Sequence, residues 1–258
     1  MTDCFDLSGT VVLVTGGAGL LGRALCEALA EHGATVVVGD TAIQPGTELA
    51  AALDGDAEFR ELDITSEEEV KTTVRNVHGD HGGINVLVNS AYPRNENYGR
   101  KYEEVTFQDW QENLDLHLDG YFLTSHTVSR LMMEDEIKGS IINVGSTYGV
   151  QAPDFSVYEG TDLTSPVEYA GIKGGIVNLT RYLASYLGEY GIRANTLSPG
   201  GISDDQHPRF VKEYERRTPL GRMAEPNDFK GPVVFLASDA SRYVTGHNLL
   251  VDGGWTIC

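Results

Sequence analysis

Tyr169 and Lys173 stand four residues apart, just ahead of leucines at 179, 183 and 187 that repeat at helical spacing. Residues i and i+4 share one helix face, so the phenol and the ammonium are expected to project together. A free phenol titrates near ~10, a neighbouring ammonium favours its ionised form, and each unit of depression corresponds to about 1.4 kcal/mol. A phenol poised in this way is a general acid/base for the proton of an alcohol or carbonyl. Ser146, just past the apolar run Ser140–Val144, adds a hydroxyl suited to bonding a substrate oxygen and stabilising charge that develops there.

A second constellation lies near the amino terminus. Thr15, Gly16, Gly17, Ala18, Gly19, Leu20, Leu21 and Gly22 follow an apolar run and precede a helical pattern. Glycines at such a turn let backbone N–H groups approach a pyrophosphate, and the helix start contributes its positive dipole end. Asp40 lies 18 residues beyond Gly22, at the end of the next apolar run, and no Lys or Arg follows before Arg60. A carboxylate there accepts hydrogen bonds from a ribose 2′-OH and repels a 2′-phosphate, so the expected cofactor is NAD.

These residues need a scaffold. Strand-like runs occur at Thr10–Thr15, Ala34–Asp40, Glu58–Leu62, Ile84–Asn89, Ser140–Val144, Arg193–Leu197 and Asn248–Val251. Most are continuously apolar, as befits strands covered on both faces, and helical patterns separate them. The alternation predicts an α/β fold, a doubly wound parallel sheet of about seven strands with helices on both faces. No repeat or Pro/Ser-rich linker divides residues 1–258, which are expected to form one domain.

Composition narrows the function classes. Asp plus Glu number 38 against 19 Lys plus Arg, a net charge of −19. Nucleic acid and anionic membrane surfaces are disfavoured as partners by that field. No apolar run approaches the ~20 residues of a bilayer span, and the start lacks the pattern of a signal peptide. Cys4, Cys26 and Cys258 are too few and too scattered for a disulfide framework or a zinc site, so no metal is expected and a reducing, cytoplasmic setting is. Only six of the 19 basic residues are Lys, and the acidic ones are dispersed. That composition suits either an ordinary acidic protein or one adapted to high salt, where screening removes the self-repulsion.

In this order, the motifs resemble the short-chain dehydrogenase/reductase family, in its short single-domain Rossmann branch, over essentially the whole chain. They are the Thr15–Gly22 turn, Leu62-Asp63-Ile64, Asn89-Ser90-Ala91, Ser146, Tyr169/Lys173, Ser198-Pro199-Gly200, and Thr245-Gly246 through Val251-Asp252-Gly253-Gly254. The resemblance implies hydride transfer between a nicotinamide and an alcohol/carbonyl pair. It also implies that Lys173 holds the nicotinamide ribose and that Ile202, after Pro199, Gly200 and Gly201, meets the carboxamide. Asp63, Ile64 and Asn89, with Ser90 and Ala91, would line the cofactor cleft. Subunit contacts are implied along the helices near Leu114–Met133 and Ile176–Leu187, giving a homodimer or homotetramer.

The chain departs from the family pattern at four points. The glycine spacing is that of the longer sugar-nucleotide branch, with Leu20 where the short branch has Gly. His117 occupies the place of the active-site Asn. Asp204 stands where a Thr touches the cofactor. Ser146 and Tyr169 are 23 residues apart, about ten more than usual. The extra residues fall within 151–168 and are expected to rim the site together with 92–105. Wording around Tyr92-Pro93-Arg94-Asn95 and Pro166-Val167-Glu168-Tyr169 is similar to a subgroup associated with flagellin and surface-glycan sugars of the legionaminic type. Arg94, Arg100 and Lys101 fall within eight residues, interleaved with Tyr92, Asn95, Asn97 and Tyr98. Guanidinium groups bind phosphate or carboxylate bidentately, so Arg94 and Arg100 are expected to hold an acidic, sugar-derived small molecule, with Tyr92, Asn95, Tyr148 and Tyr158 beside them. Two other readings stay open: a sugar-nucleotide epimerase or dehydratase that retains its NAD, suggested by the glycine spacing, and a catalytically silent NAD-binding regulator.

Overall fold

Seven strands form one parallel sheet in the order β3-β2-β1-β4-β5-β6-β7. The structure, a computed structural model, describes residues 3–258. The strands are β1 (Val11–Thr15), β2 (Thr35–Asp40), β3 (Ala57–Glu61), β4 (Val86–Asn89), β5 (Ser140–Val144), β6 (Arg193–Pro199) and β7 (Asn248–Val251). Each matches a run expected from the sequence to within two residues at either end. Helices α1 (Leu20–Glu31), α2 (Ile43–Ala52), α3 (Glu67–His81), α4 (Phe107–Leu114), α5 (Gly120–Glu134), α6 (Val167–Leu187), α7 (Pro208–Arg217) and α8 (Lys230–Ala237) complete the fold.

Side chains alternate across a strand, so a strand covered on both faces must be apolar throughout. Val12 and Val14 pack with Leu25, Leu29, Val233 and Leu236 on one face, whereas Leu13 packs with Val74, Val128 and Ile176 on the other. The edges depart from this rule. β3 is partly exposed along its length and carries Glu58 and Arg60, and β7 is likewise only half covered. A strand with one neighbour has less to bury, so its sequence is free to be polar.

The order of strands reverses between β1 and β4, and in open α/β sheets that is where a crevice opens beyond the carboxyl ends. Thr15, Asp40, Asn89 and Pro199 are the last residues of their strands, and Asp63 and Ser146 lie two residues beyond theirs. A third, smaller core of Val157, Phe210, Tyr214, Met223 and Trp255 lies beside the crevice. It joins α7 to the 151–168 insertion. Among the described residues no helix is long and apolar enough to cross a membrane, and no cluster of potential metal ligands occurs.

Candidate functional site

A cleft of about 910 Å³ runs across the carboxyl ends of the strands. Its floor at one end is the first turn. Gly16 has φ +66°, and a Cβ there would lie 2.5 Å from Ala91 Cα. A Cβ on Gly22 would meet the Gly16 carbonyl oxygen at 2.0 Å, so only glycine lets α1 start this close to the turn. No side chain caps α1, and its first N–H groups are left available at the cleft. Those bare donors at a helix start, beside a backbone cradle, fit a pyrophosphate. Leu20, at the departure from the short-branch pattern, lines the cleft with an exposed side chain.

Asp40 closes this end. Its carboxylate accepts from the Ala18 N–H at 3.0 Å and the Ala42 N–H at 2.9 Å, which ties the end of β2 to the glycine turn. Arg60, the nearest following cation in sequence, is committed to Glu58 and Asp80 at 2.8 and 2.9 Å. Leu21, Asp63, Ile64, Ser90, Ala91, Pro199, Gly200, Gly201 and Ile202 line the same cleft, as expected.

Ser146, Tyr169 and Lys173 meet at its centre. Ser146 Oγ accepts from the Tyr148 N–H at 3.1 Å, which leaves its hydroxyl hydrogen to be donated toward the Tyr169 oxygen or a substrate oxygen in the cleft. Lys173 Nζ donates to the Val144 carbonyl at 2.9 Å and lies 3.4 Å from His117 Nε2. It also sits 5.6 Å from the centres of the Tyr121 and Tyr169 rings. Burial dominates both groups, pushing the phenol above its ordinary range and the ammonium down to about 7. For Tyr169 the nearby Tyr92 adds to the rise and a hydrogen bond with Ser146 opposes it. No carboxylate pairs with Lys173, so desolvation is uncompensated.

His117 is wholly buried in a π-helical turn, Asp115–Asp119, that joins α4 to α5. The extra residue in such a turn pushes one side chain out of helical register, here toward Lys173. Burial, followed by the Lys173 charge, holds the imidazole well below its usual titration range, so it is neutral. Facing an ammonium, Nε2 acts as the acceptor. That assigns the hydrogen to Nδ1, which is buried without a partner.

Several expected site residues are placed elsewhere. Thr15, Gly17 and Asn89 support the cleft from behind without lining it. Thr15 Oγ1 accepts from the Ser90 N–H, and a Cβ on Gly17 would meet Val38 at 2.9 Å. The Asn89 amide is fully used by Ser125, Asn143 and Thr124 at 2.7–3.0 Å. Asn95 and Arg100 also miss the cleft, because α4 claims them. Asn95 donates to Asp109 and Glu112 and exchanges bonds with Asn113, while Arg100 reaches Asn97 and Asp109. Hydrogen bonds from Thr106 and then Asn97 hold the Asp109 carboxyl down to about 2. Segment 92–105 is therefore bolted to α4 by an amide–carboxylate network.

Tyr92, Arg94, Tyr148 and Tyr158 do line the cleft. Arg94 has no acidic partner among the described residues, and its guanidinium lies 5.1 Å from the centre of the Tyr92 ring. Asp204 lines the cleft too. Phe210 and Tyr214 on α7 were not anticipated, although two aromatics four apart in an otherwise charged helix are a legible signal. The Tyr214 hydroxyl accepts from the Gly201 N–H at 2.6 Å, and Arg217 bridges α7 to Asp154 and Ser156 at 2.9 Å. Tyr158 stacks on Phe210 with ring centres 5.2 Å apart. These contacts join the insertion and α7 into one wall.

Comparison with known proteins gives a consistent picture. Residues 17–256 match a family model described as enoyl-(acyl carrier protein) reductase. The chain is 35% identical to post-translational flagellin modification protein A of Campylobacter coli, over 96% of this chain and 99% of that one. It is similar to a short-chain dehydrogenase from Leptospira borgpetersenii solved with bound NAD+ (TM-score 0.88, 37% identity, 99% and 96% covered). A gluconate 5-dehydrogenase from Burkholderia cenocepacia, in complex with NADP and tartrate, has a TM-score of 0.87 at 29% identity, with 99% and 98% covered.

Proposed function

The chain belongs to the short-chain dehydrogenase/reductase family and is similar to its flagellin-associated members, and from that premise we propose that it is an NAD(H)-dependent oxidoreductase interconverting an alcohol and a carbonyl on an acidic, sugar-derived small molecule. The observation that carries this reading is the convergence of Ser146, Tyr169 and Lys173 in one cleft whose far end is closed by Asp40. Glycine turn, bare helix start and Asp40 would hold the pyrophosphate and adenosine ribose. When bound, the nicotinamide supplies the hydride acceptor and, oxidised, a positive charge. Ser146 Oγ–H bonds the substrate oxygen. Tyr169 Oη takes the alcohol proton in oxidation and returns it in reduction. Lys173, held by Val144 and His117, keeps a donor free for the nicotinamide ribose.

His117 acts through Lys173, as an acceptor that fixes the ammonium. His117→Ala is expected to lower kcat by about tenfold or more, the scale of a hydrogen bond to a charged group. His117→Asn should recover part of the loss. Unchanged kcat in a folded Ala variant would show that His117 is packing alone.

Arg94 is the proposed anchor for the substrate's anionic group. The experiment is to incubate the protein with NAD and a fractionated metabolite extract, follow cofactor reduction, and identify the compound consumed. Arg94→Ala is then expected to raise KM for it by one to two orders of magnitude, roughly 1.5–3 kcal/mol, with little change in kcat. An unchanged KM, or consumption of a neutral polyol only, would refute the acidic-substrate reading.

We also propose a homodimer or homotetramer of cytoplasmic location. Tyr182 and Tyr186 stack on the exposed side of α6, with the ring of Tyr190, just past its end, tilted against Tyr186, and Phe122 stacks on His126 along α5. Exposed aromatic rows on adjoining helices support a buried subunit contact. Light scattering at micromolar concentration should give two or four times the 28.0 kDa chain mass, and a monomer would reject the proposal.

A further inference from the structure

Lys173 is buried, and its ammonium has no carboxylate partner among the described residues. A buried charge is ordinarily paired, because water no longer solvates it. Its hydrogen bonds do not supply the missing charge: Val144 offers a neutral carbonyl at 2.9 Å and His117 a neutral imidazole at 3.4 Å. Three tyrosine rings surround the same atom. Lys173 Nζ lies over the rings of Tyr121 and Tyr169, 5.6 Å from each centre, and over the ring of Tyr92 at 5.7 Å. All three are inside the ~6 Å at which the negative face of a ring attracts a cation. They come from separate elements: Tyr92 from the loop after β4, Tyr121 from the first turn of α5, and Tyr169 from α6. The His117 ring, its centre 5.0 Å from those of Tyr92 and Tyr121, packs against both, and Tyr92 lies 5.9 Å from Tyr169. The buried Tyr121 hydroxyl has no partner among the described residues, so what this residue brings to Lys173 is its ring.

We infer that Tyr92 and Tyr121 are positioning residues of the reaction centre: with Tyr169, their ring faces form an aromatic cage that carries the Lys173 ammonium in place of a counter-carboxylate. A carboxylate there would cancel much of the ammonium's field at the Tyr169 oxygen. A ring has no net charge, so it attracts the ammonium and leaves that field standing. The ionisable groups facing Lys173 are thus His117, Tyr92, Tyr121 and Tyr169. Beyond Tyr92 stand Tyr98, bonded to its hydroxyl at 2.7 Å, and Arg94, 5.1 Å from its ring centre. The inference rests on the role proposed for Lys173 in the reaction.

The test follows the ammonium directly, by NMR titration of the full-length protein labelled with [ε-13C]lysine and free of NAD. Lys173→Ala identifies the Lys173 resonance, which should titrate well below the others because the group is buried. Ring faces favour the charged form, so losing one lowers the midpoint. Tyr121→Leu and Tyr92→Leu are each expected to lower it by about half a unit to one unit. Tyr121→Phe and Tyr92→Phe keep the ring and should return the wild-type midpoint. If melting shows that Tyr121→Leu does not fold, the Tyr92 pair carries the test from the rim of the cleft. An unmoved or raised midpoint in the folded Leu variants, or an equal fall in the Phe variants, would overturn the cage. The titration needs no turnover, so failure of the cage is distinguishable from failure of the proposed reaction.

Discussion

Turnover of the Tyr169→Phe protein is expected to fall by two to four orders of magnitude, the usual worth of a positioned acid/base, while NAD still binds. The substitution removes one oxygen from a ring packed between Tyr92 and Tyr148, so shape and cleft survive and only the proton carrier is lost. Lys173→Ala is expected to damage cofactor binding as well, since it also removes the donor held by the Val144 carbonyl and His117. Stopped-flow turnover together with a fluorescence titration of NAD separates the two effects. Near-native turnover by the Phe variant would remove Tyr169 from the mechanism.

NAD should bind on the order of a hundredfold more tightly than NADP. A 2′-phosphate would face the Asp40 carboxylate, held in place by two backbone N–H groups, and a like-charge contact at ~4 Å costs between about 1 and 4 kcal/mol per unit charge at surface-like dielectrics. The next cation along the chain cannot offset this, because Arg60 is paired with Glu58 and Asp80. Asp40→Ala should bring the two affinities together chiefly by improving NADP. Equal affinities in the wild type, or a preference for NADP, would overturn the assignment.

The scaffold was legible because burial on both faces writes itself as unbroken apolar runs in the inner strands, while the half-covered edges β3 and β7 were located by the alternation of strand and helix patterns. Local motifs placed Ser146, Tyr169, Lys173 and the first turn for the same reason: their spacing reports their geometry. Residues on the rim were harder. Asn95 and Arg100 have the types expected of sugar and anion ligands, and nothing in the sequence tells whether an amide faces a ligand or a neighbouring helix. Asp109 and Asn113, 14 and 18 positions beyond Asn95, decide it. Spacing likewise conveys that Lys173 stands close to Tyr169, but not how much water has been excluded from the pair. The π-helical turn that aims His117 has no signature in the apolar periodicity on either side of it.

The network joining 92–105 to α4 bears on how this protein could acquire a new substrate. Arg94 is presented by a loop whose Asn95 and Asn97 are satisfied by Asp109 and Asn113, so loop and helix are one heritable unit. A recombinant that exchanged the loop alone would strand a carboxylate and an amide that are almost fully buried. One that exchanged residues 92–114 together would carry its own anchors with it. With Arg94 as the proposed anchor, its setting would be moved whole only as a block that ends inside α4, not at the visible boundary of the loop.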